Sequence, residues 1–235
     1  VHSNQYTFLF AIGISLFTAL LLSVMAVSLK PRQQANEALD RKSNILQALR
    51  LSSDDPESIE KLYNERVEEM VVSAEGKSLD GEEPADVDLR KEVMKPAEQR
   101  RLPLYIYKDD KDRSFYVVPV HGNGLWGPVW GFVALEDDFN TIYGANFDHK
   151  SETPGLGAEI SEYAFQQQFE GKKLLDEQEK FVSVRVTKPG EAGRYPAEHR
   201  VDAISGGTIT SRGVDAMLQR CIEPYYTYFS TLKNE

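Results

Sequence analysis

"LPLYIYKDDKDRSFYVVPVHGNGLWGPVWGFVALE", residues 102–136, decides the fold. Its three runs, "LPLYIYKD", "RSFYVVPVHG" and "GPVWGFVALE", are rich in aromatic and β-branched residues, which suit a pleated, half-buried surface. The stretches between them, "DKD" and "NGLW", are short and turn-forming. Connections of this length leave consecutive strands only the antiparallel arrangement. A fourth run, "NTIYGANFDH", follows "DDF", in which Asp137 and Asp138 read as turn residues. The expectation is an antiparallel meander. "GNGLWG" (122–127) matches G-x-G-x-x-G, but a dinucleotide site needs a helix after it, and here another strand follows. It reads as a glycine-rich hairpin turn. Trp126 and Trp130 beside it suit a core edge or the face of a flat aromatic ligand.

The 235 residues, 41% of them hydrophobic, allow one or two modest domains with a sizeable core. The net charge of -10 excludes a nucleic-acid partner, which requires a basic footprint. Cys221 is the one cysteine, so there is no internal disulfide and no cysteine-rich metal site; it reads as a small apolar residue on a buried helix face. His2, His121, His149 and His199 are scattered without metal-ligand spacing, and no G-x-S-x-G marks a nucleophile elbow. No metal site and no catalytic constellation are expected.

N-terminal to the meander, Tyr6 to Leu29 form an uncharged run of 24 residues. As a helix it spans about 36 Å, enough for a bilayer core of roughly 30 Å. Residues 1–5 hold no Lys or Arg, unlike a cleaved signal peptide, so a retained anchor is expected over 1–30. Lys30, Arg32, Arg41 and Lys42 follow it, and charge bias alone would put the soluble part in the cytoplasm. Residues 31–100 are expected to hold membrane-proximal helices over 35–51 and 55–71 and a charged, solvated linker over 76–101. Residues 101–235 form the main domain. After the meander, a helix is expected over 159–172 and a strand over 180–188. A long helix should begin near Ser211, with Val214, Met217, Leu218, Cys221, Ile222, Tyr225, Phe229 and Leu232 on one face. The fold class is α+β, with one N-terminal transmembrane helix followed by a soluble antiparallel-sheet domain with packed helices.

Two loops carry candidate chemistry. "SETPGLGAEI" (151–160) joins the last meander strand to a helix. Pro154 fixes one backbone angle, and Gly155 and Gly157 permit close approach, either for a structural turn or for a wall of backbone N–H groups beside a planar ring. "DAISGGTITSRGV" (202–214) gathers Ser205, Thr208, Thr210 and Ser211 around Gly206 and Gly207, just before the long helix. The start of that helix suits a phosphate, and equally suits a plain Ser or Thr N-cap.

These residues carry a resemblance. "SGGTIT" resembles the S-G-A-T-x-T flavinylation motif, in which the last threonine carries FMN through a phosphoester. "ETPGLG" and "GLWGPVWGFVAL" look like further signatures of the same FMN-binding domain. With the anchor followed by "SLKPRQQAN", the whole chain resembles the family of C subunits of the sodium-translocating NADH:quinone oxidoreductases. The resemblance implies covalent FMN on Thr210, within a loop of Ser205, Gly206, Gly207 and Thr208 and beside Ser211. It implies a flavin-side turn of Glu152, Thr153, Gly155, Leu156 and Gly157, Trp126 as a ring neighbour, and Asp202 as the mark read by a flavin transferase. Gly207 stands where the family usually has Ala, a lost methyl expected to loosen the loop.

The implied function is that of a covalently flavinylated electron carrier in a membrane respiratory complex. That complex couples NADH oxidation and ubiquinone reduction to sodium export. The implied partners are the B, D and E subunits of the pump, the flavin transferase and the membrane. The family places its single-pass soluble domain in the periplasm, on the outer face of the inner (cytoplasmic) membrane, against the charge bias; that location is the expectation adopted. Tyr6–Leu29 hold no acid, so no ion path is expected there. Two alternatives are the related flavin-carrying G subunit of an Rnf-type ferredoxin:NAD oxidoreductase and a membrane-anchored flavin-binding regulatory domain.

Overall fold

Aspartate side chains close two of the turns that fold the aromatic runs back on one another. Asp109 Oδ1 accepts from the N–H groups of Lys111 at 2.8 Å and Arg113 at 2.9 Å. Asp138 Oδ1 accepts from those of Asn140 and Thr141, both at 2.8 Å. Such side chains stand in for backbone carbonyls in a tight turn. Between these two turns, the Gly124 N–H donates to Gly127 O at 2.8 Å and closes the hairpin of "GNGLWG".

The structure, a computed structural model, describes residues 3–233; His2 lies outside them. In chain order the elements are α1 (Asn4–Ala48), α2 (Pro56–Arg66), β1 (Val67–Ser73), α3 (Leu89–Glu92), β2 (Arg101–Lys108), β3 (Ser114–Asn123), β4 (Pro128–Leu135) and β5 (Ile142–His149). They continue with α4 (Tyr163–Gln166), β6 (Arg185–Thr187), β7 (Arg200–Asp202), α5 (Thr208–Ile222) and α6 (Tyr226–Leu232). Strands β1 to β5 form one antiparallel sheet in chain order, and β6 and β7 form a small parallel pair. The chain divides into two compact units, Val1–Arg41 and Lys42–Glu235. In the first unit, helix α1 carries the apolar run with its large side chains exposed, and it is long and apolar enough to cross a membrane.

Several elements differ from the sequence-based expectation. The helix expected over 55–71 ends at Arg66, and Val67–Ser73 is one of the two edge strands of the sheet. The sheet therefore draws on residues from both sides of the boundary expected at 100/101. The helix expected over 35–51 is the last part of α1, which continues through Pro31. The charged stretch 76–101 is ordered, with α3 inside it and Val87, Glu92 and Val93 buried. The helix expected over 159–172 is broken at Glu162, whose backbone is extended, into short turns and α4. Its buried residues explain the break: Phe165 and Phe169 are four apart, but Ile160 is five before Phe165 and falls off their helical face. Of the strand expected over 180–188 only Arg185–Thr187 remains, because Ser183 turns the chain with φ 63°. Pro224, which has no N–H to give, interrupts the last helix between α5 and α6.

The core lies on one face of the sheet. Val118, Val120, Val133 and Phe147 meet Val214, Met217, Leu218 and Ile222 of α5 in one buried cluster. Cys221 joins this face, 6% exposed, as expected. Each fully buried aliphatic side chain contributes roughly 2 kcal/mol. The opposite face carries Tyr105, Val117, Ala134 and Gly144 in register. The C-terminal end of α1 covers it, with Ile45, Leu46 and Ala48 buried. A side chain at Gly144 would overlap the Ala48 carbonyl, so glycine is what lets this helix end seat on β5.

Glu92, 2% exposed, ties the charged stretch to β2. Its carboxylate accepts from Lys95 Nζ at 2.9 Å, from the Arg101 N–H at 3.1 Å and from the Arg101 guanidinium at 3.0 Å. Burial pushes its proton affinity up, but the bonds from Lys95 and Arg101 outweigh this and hold the carboxyl below its ordinary value. A carboxyl depressed in the folded state stabilises above its unfolded value, about 4.3, and loses that contribution as pH falls through the folded value. Glu92→Gln should therefore cost about 1–3 kcal/mol at neutral pH. It should also flatten the loss of stability on acidification, as read by urea denaturation of the detergent-solubilised chain at several pH values.

Candidate functional site

The hydroxyl-rich loop is shorter than its sequence suggested, because α5 begins at Thr208, three residues before Ser211. Gly207 occupies the cap position and makes no side-chain cap bond, so neither a serine nor a threonine is the N-cap. Thr210 and Ser211 thus lie in the first turn of the helix, not in a flexible loop. The Ser211 N–H makes the first helical bond, to Gly207 O at 2.9 Å. The N–H groups of Thr208, Ile209 and Thr210 precede it and have no carbonyl one turn back.

What fixes this turn is its seat on the β3–β4 hairpin. A side chain on Gly213 would overlap the carbonyl of Asn123, and a Cβ on Gly122 would lie 2.9 Å from Met217 Cβ. Two glycines facing each other therefore let helix and hairpin touch backbone to backbone. That contact puts Thr210, 1% exposed, beside the segment that follows β5. The Thr210 hydroxyl donates to Glu152 Oε2 at 2.6 Å. Glu152, 6% exposed, uses its other oxygen to accept from the Trp126 N–H at 2.8 Å. Its own N–H donates to His149 Nδ1 at 3.2 Å. Gly157 permits the pair: a Cβ there would lie 2.6 Å from Thr210 Oγ1 and overlap Glu152 Oε2. Gly124 does the same on the hairpin side, where a Cβ would lie 2.5 Å from Glu152 Oε1.

The structure brings most of the sequence-predicted residues together here. The Thr153 carbonyl accepts from the N–H groups of Leu156 at 3.1 Å and Ala158 at 3.2 Å, which curls "ETPGLG" over the start of α5. Gly155, at φ 73°, makes the bend, and its N–H donates to Glu159 Oε1 at 3.0 Å. Leu156 rests on the glycine pair: a Cβ on Gly206 would lie 2.5 Å from Leu156 Cδ2. Gly206, at φ 76°, needs its freedom. The lost methyl at Gly207 leaves no void, since a Cβ there would lie 2.9 Å from Ile204 Cγ2. Ile204 already fills that space, and its N–H donates to Ser211 Oγ at 3.1 Å, so the loop is braced rather than loosened. Ser205 and Asp202 are exposed and Thr208 is half-buried. The Asp202 N–H donates to Gln168 Oε1 at 2.9 Å.

Sequence reasoning missed His149, Gly124 and Ile204. It also missed Leu125 and Ile209, which with the expected Trp126 and Leu156 form an apolar rim of large exposed side chains around this turn. Single exposed apolar residues are ordinary, whereas four on segments that converge on one hydroxyl form a patch of the kind that takes a ligand or a partner. The expected outcome of Gly213→Ala is a loss of about 1–3 kcal/mol from the forced separation of helix and hairpin, measured as a lowered melting temperature.

Residues 124–223 match the family model described as the FMN-binding domain. The C subunit of the Na(+)-translocating NADH-quinone reductase of Vibrio campbellii is 34% identical, over 86% of this chain and 84% of that protein. The protein of the same name from Neisseria meningitidis serogroup B is 32% identical over 97% of this chain and 94% of its own. Among solved structures, that of the corresponding Na(+)-translocating NADH-quinone reductase C subunit from Parabacteroides distasonis superposes with a TM-score of 0.77 at 37% identity, covering 86% of this chain and 97% of the other. With its apolar N-terminal helix, its antiparallel meander and the FMN-binding domain built on it, the chain belongs to the family of Na(+)-translocating NADH-quinone reductase C subunits.

Proposed function

We propose that this chain carries FMN as a phosphoester on Thr210 and passes electrons within a sodium-translocating NADH:quinone reductase. The observation that carries the reading is the position of the Thr210 hydroxyl. It lies in the first turn of an uncapped helix, between two glycine-rich segments and inside an apolar rim. The residues fit such a group. A phosphate on Thr210 would meet the N–H groups of Thr208, Ile209 and Thr210 and the positive end of the α5 dipole. Leu125, Trp126, Leu156 and Ile209 supply apolar surface for a planar ring, and the turn at Thr153–Gly157, closed by its own backbone bonds, holds Leu156 in place beside it.

Bound FMN supplies electron transfer one electron at a time, while the protein supplies position and electrostatics. The chain's own part is to hold the ring at a fixed place. Thr210 tethers it, Trp126 and Leu156 shield it, and the α5 seat on the hairpin keeps the tether from wandering. In this reading Asp202, exposed at the end of β7, is the mark that a flavin transferase reads, and exposed Gly206 leaves the loop without a side chain where that enzyme approaches. The B, D and E subunits are the electron partners. The apolar part of helix α1, Tyr6–Leu29, is the single membrane span, with residues 31–235 on the periplasmic side of the inner membrane.

Co-expression with a flavin transferase should give a fluorescent band in a denaturing gel and an added FMN mass on Thr210. Thr210→Ala should abolish both, while Thr208→Ala and Ser205→Ala lower the yield without removing it. A band surviving Thr210→Ala, or the mass on Thr208, overturns the assignment. For topology, an alkaline phosphatase fused after Glu235 should be active, and a cytoplasmic fluorescent reporter at the same place should stay dark. The reverse pattern puts the domain in the cytoplasm.

A further inference from the structure

We infer that Glu152 is the base that takes the proton from Thr210 when the flavin is attached, and that it keeps this proton afterwards. The inference rests on the reading that Thr210 is the attachment point. Threonine hydroxyls are weak nucleophiles and act when a neighbouring group accepts their proton. The Glu152 carboxylate meets the geometric requirement for such a group, 2.6 Å from Thr210 Oγ1. It is also oriented for the task. The Trp126 N–H holds Oε1, leaving Oε2 aimed at the hydroxyl, and His149 Nδ1 takes the Glu152 N–H and fixes the backbone.

Burial alone does not account for this pair. A threonine in the first turn of a helix can cap its own backbone or face water, yet this one is 1% exposed and bonded to a carboxylate 58 residues away. Two glycines, at 124 and 157, are needed to admit that carboxylate, because a Cβ at either would strike it. Backbone is thus stripped of side chains on both sides to bring one carboxylate to one hydroxyl. The cover over the pair is the Leu156–Gly157 backbone and the partly exposed Leu156 side chain, which rests on Gly206 and Gly207.

The step balances without any oxidant or reductant. The co-reactant is a flavin dinucleotide, FAD, brought by the transferase. The Thr210 O–H bond breaks and its oxygen bonds to the flavin-side phosphorus of the pyrophosphate. The bond from that phosphorus to the bridging oxygen breaks, AMP leaves with that oxygen, and the proton passes to Glu152 Oε2. The new ester leaves a phosphodiester anion beside Glu152. A second ionised oxygen so close, in a site poor in water, would repel it. The proton held on Glu152 removes that repulsion and donates a hydrogen bond to the phosphodiester.

The test uses the full chain in detergent with purified flavin transferase and FAD, following attachment by intact mass. Glu152→Gln keeps the shape and the bond from the Trp126 N–H but can neither accept from the Thr210 hydroxyl nor take its proton; it should slow attachment by about 100-fold, in the range expected for loss of a general base. The loss should appear in kcat, with the half-saturating concentration of the chain unchanged. Gly157→Ala retains both side chains but forces a methyl between them, and it should slow attachment in the same way. It keeps the proposal testable if Glu152→Gln does not fold. In the flavinylated wild type, difference infrared spectra should show a protonated carboxyl that Glu152→Gln lacks. Attachment to either folded variant within about threefold of wild type, or no protonated carboxyl, overturns the inference while the FMN mass on Thr210 stands. A wild-type chain that takes up no FMN mass overturns the attachment reading itself, and this inference with it.

Discussion

The bare backbone contact between α5 and the β3–β4 hairpin is the constraint on which the rest of the site depends. Gly122 and Gly213 are the residues that allow it, and a methyl on either would push the helix off the sheet. Once the helix sits this close, Met217 and Val214 fall into the core, and the first turn of α5 arrives at the hairpin's glycine turn. Everything chemical follows from that placement. The segment leaving β5 passes beside both, and the missing side chain of Gly157 leaves the space in which Glu152 and Thr210 meet.

A polar pair in such a place is stable only if both partners are satisfied, because an orphaned carboxylate or hydroxyl away from water costs more than its bond returns. Glu152 meets this condition with the Thr210 hydroxyl on one oxygen and the Trp126 N–H on the other. The same bonds couple three segments far apart in sequence: the hairpin, the turn after β5 and the start of α5. Any one of them alone is a turn or a cap. Together they make a pocket with a reactive group at its base and an apolar rim.

That difference explains what was legible in the sequence. The meander was legible because Tyr, Phe and Val alternate between two faces and Asp or Gly marks each reversal, so local chemistry and global fold agree. The strand β1 was not, because its first residues, "VEEM", are charged and lie on a solvated edge, where strand and helix patterns look alike. The start of α5 was misplaced because its cap is Gly207, which carries no side-chain signal. Glu152 was visible as part of "ETPGLG", but its bond to Thr210 was not. Nothing in the spacing of two residues 58 apart tells which side chains a pair of glycines will admit between them.

Ile204 and Gly207 occupy one volume between them. A methyl at 207 would meet Ile204 Cγ2, and the isoleucine methyl fills the place that an alanine would take. The room beside this helix cap is therefore already taken, and an alanine at 207 would enter only if the Ile204 side chain shifted.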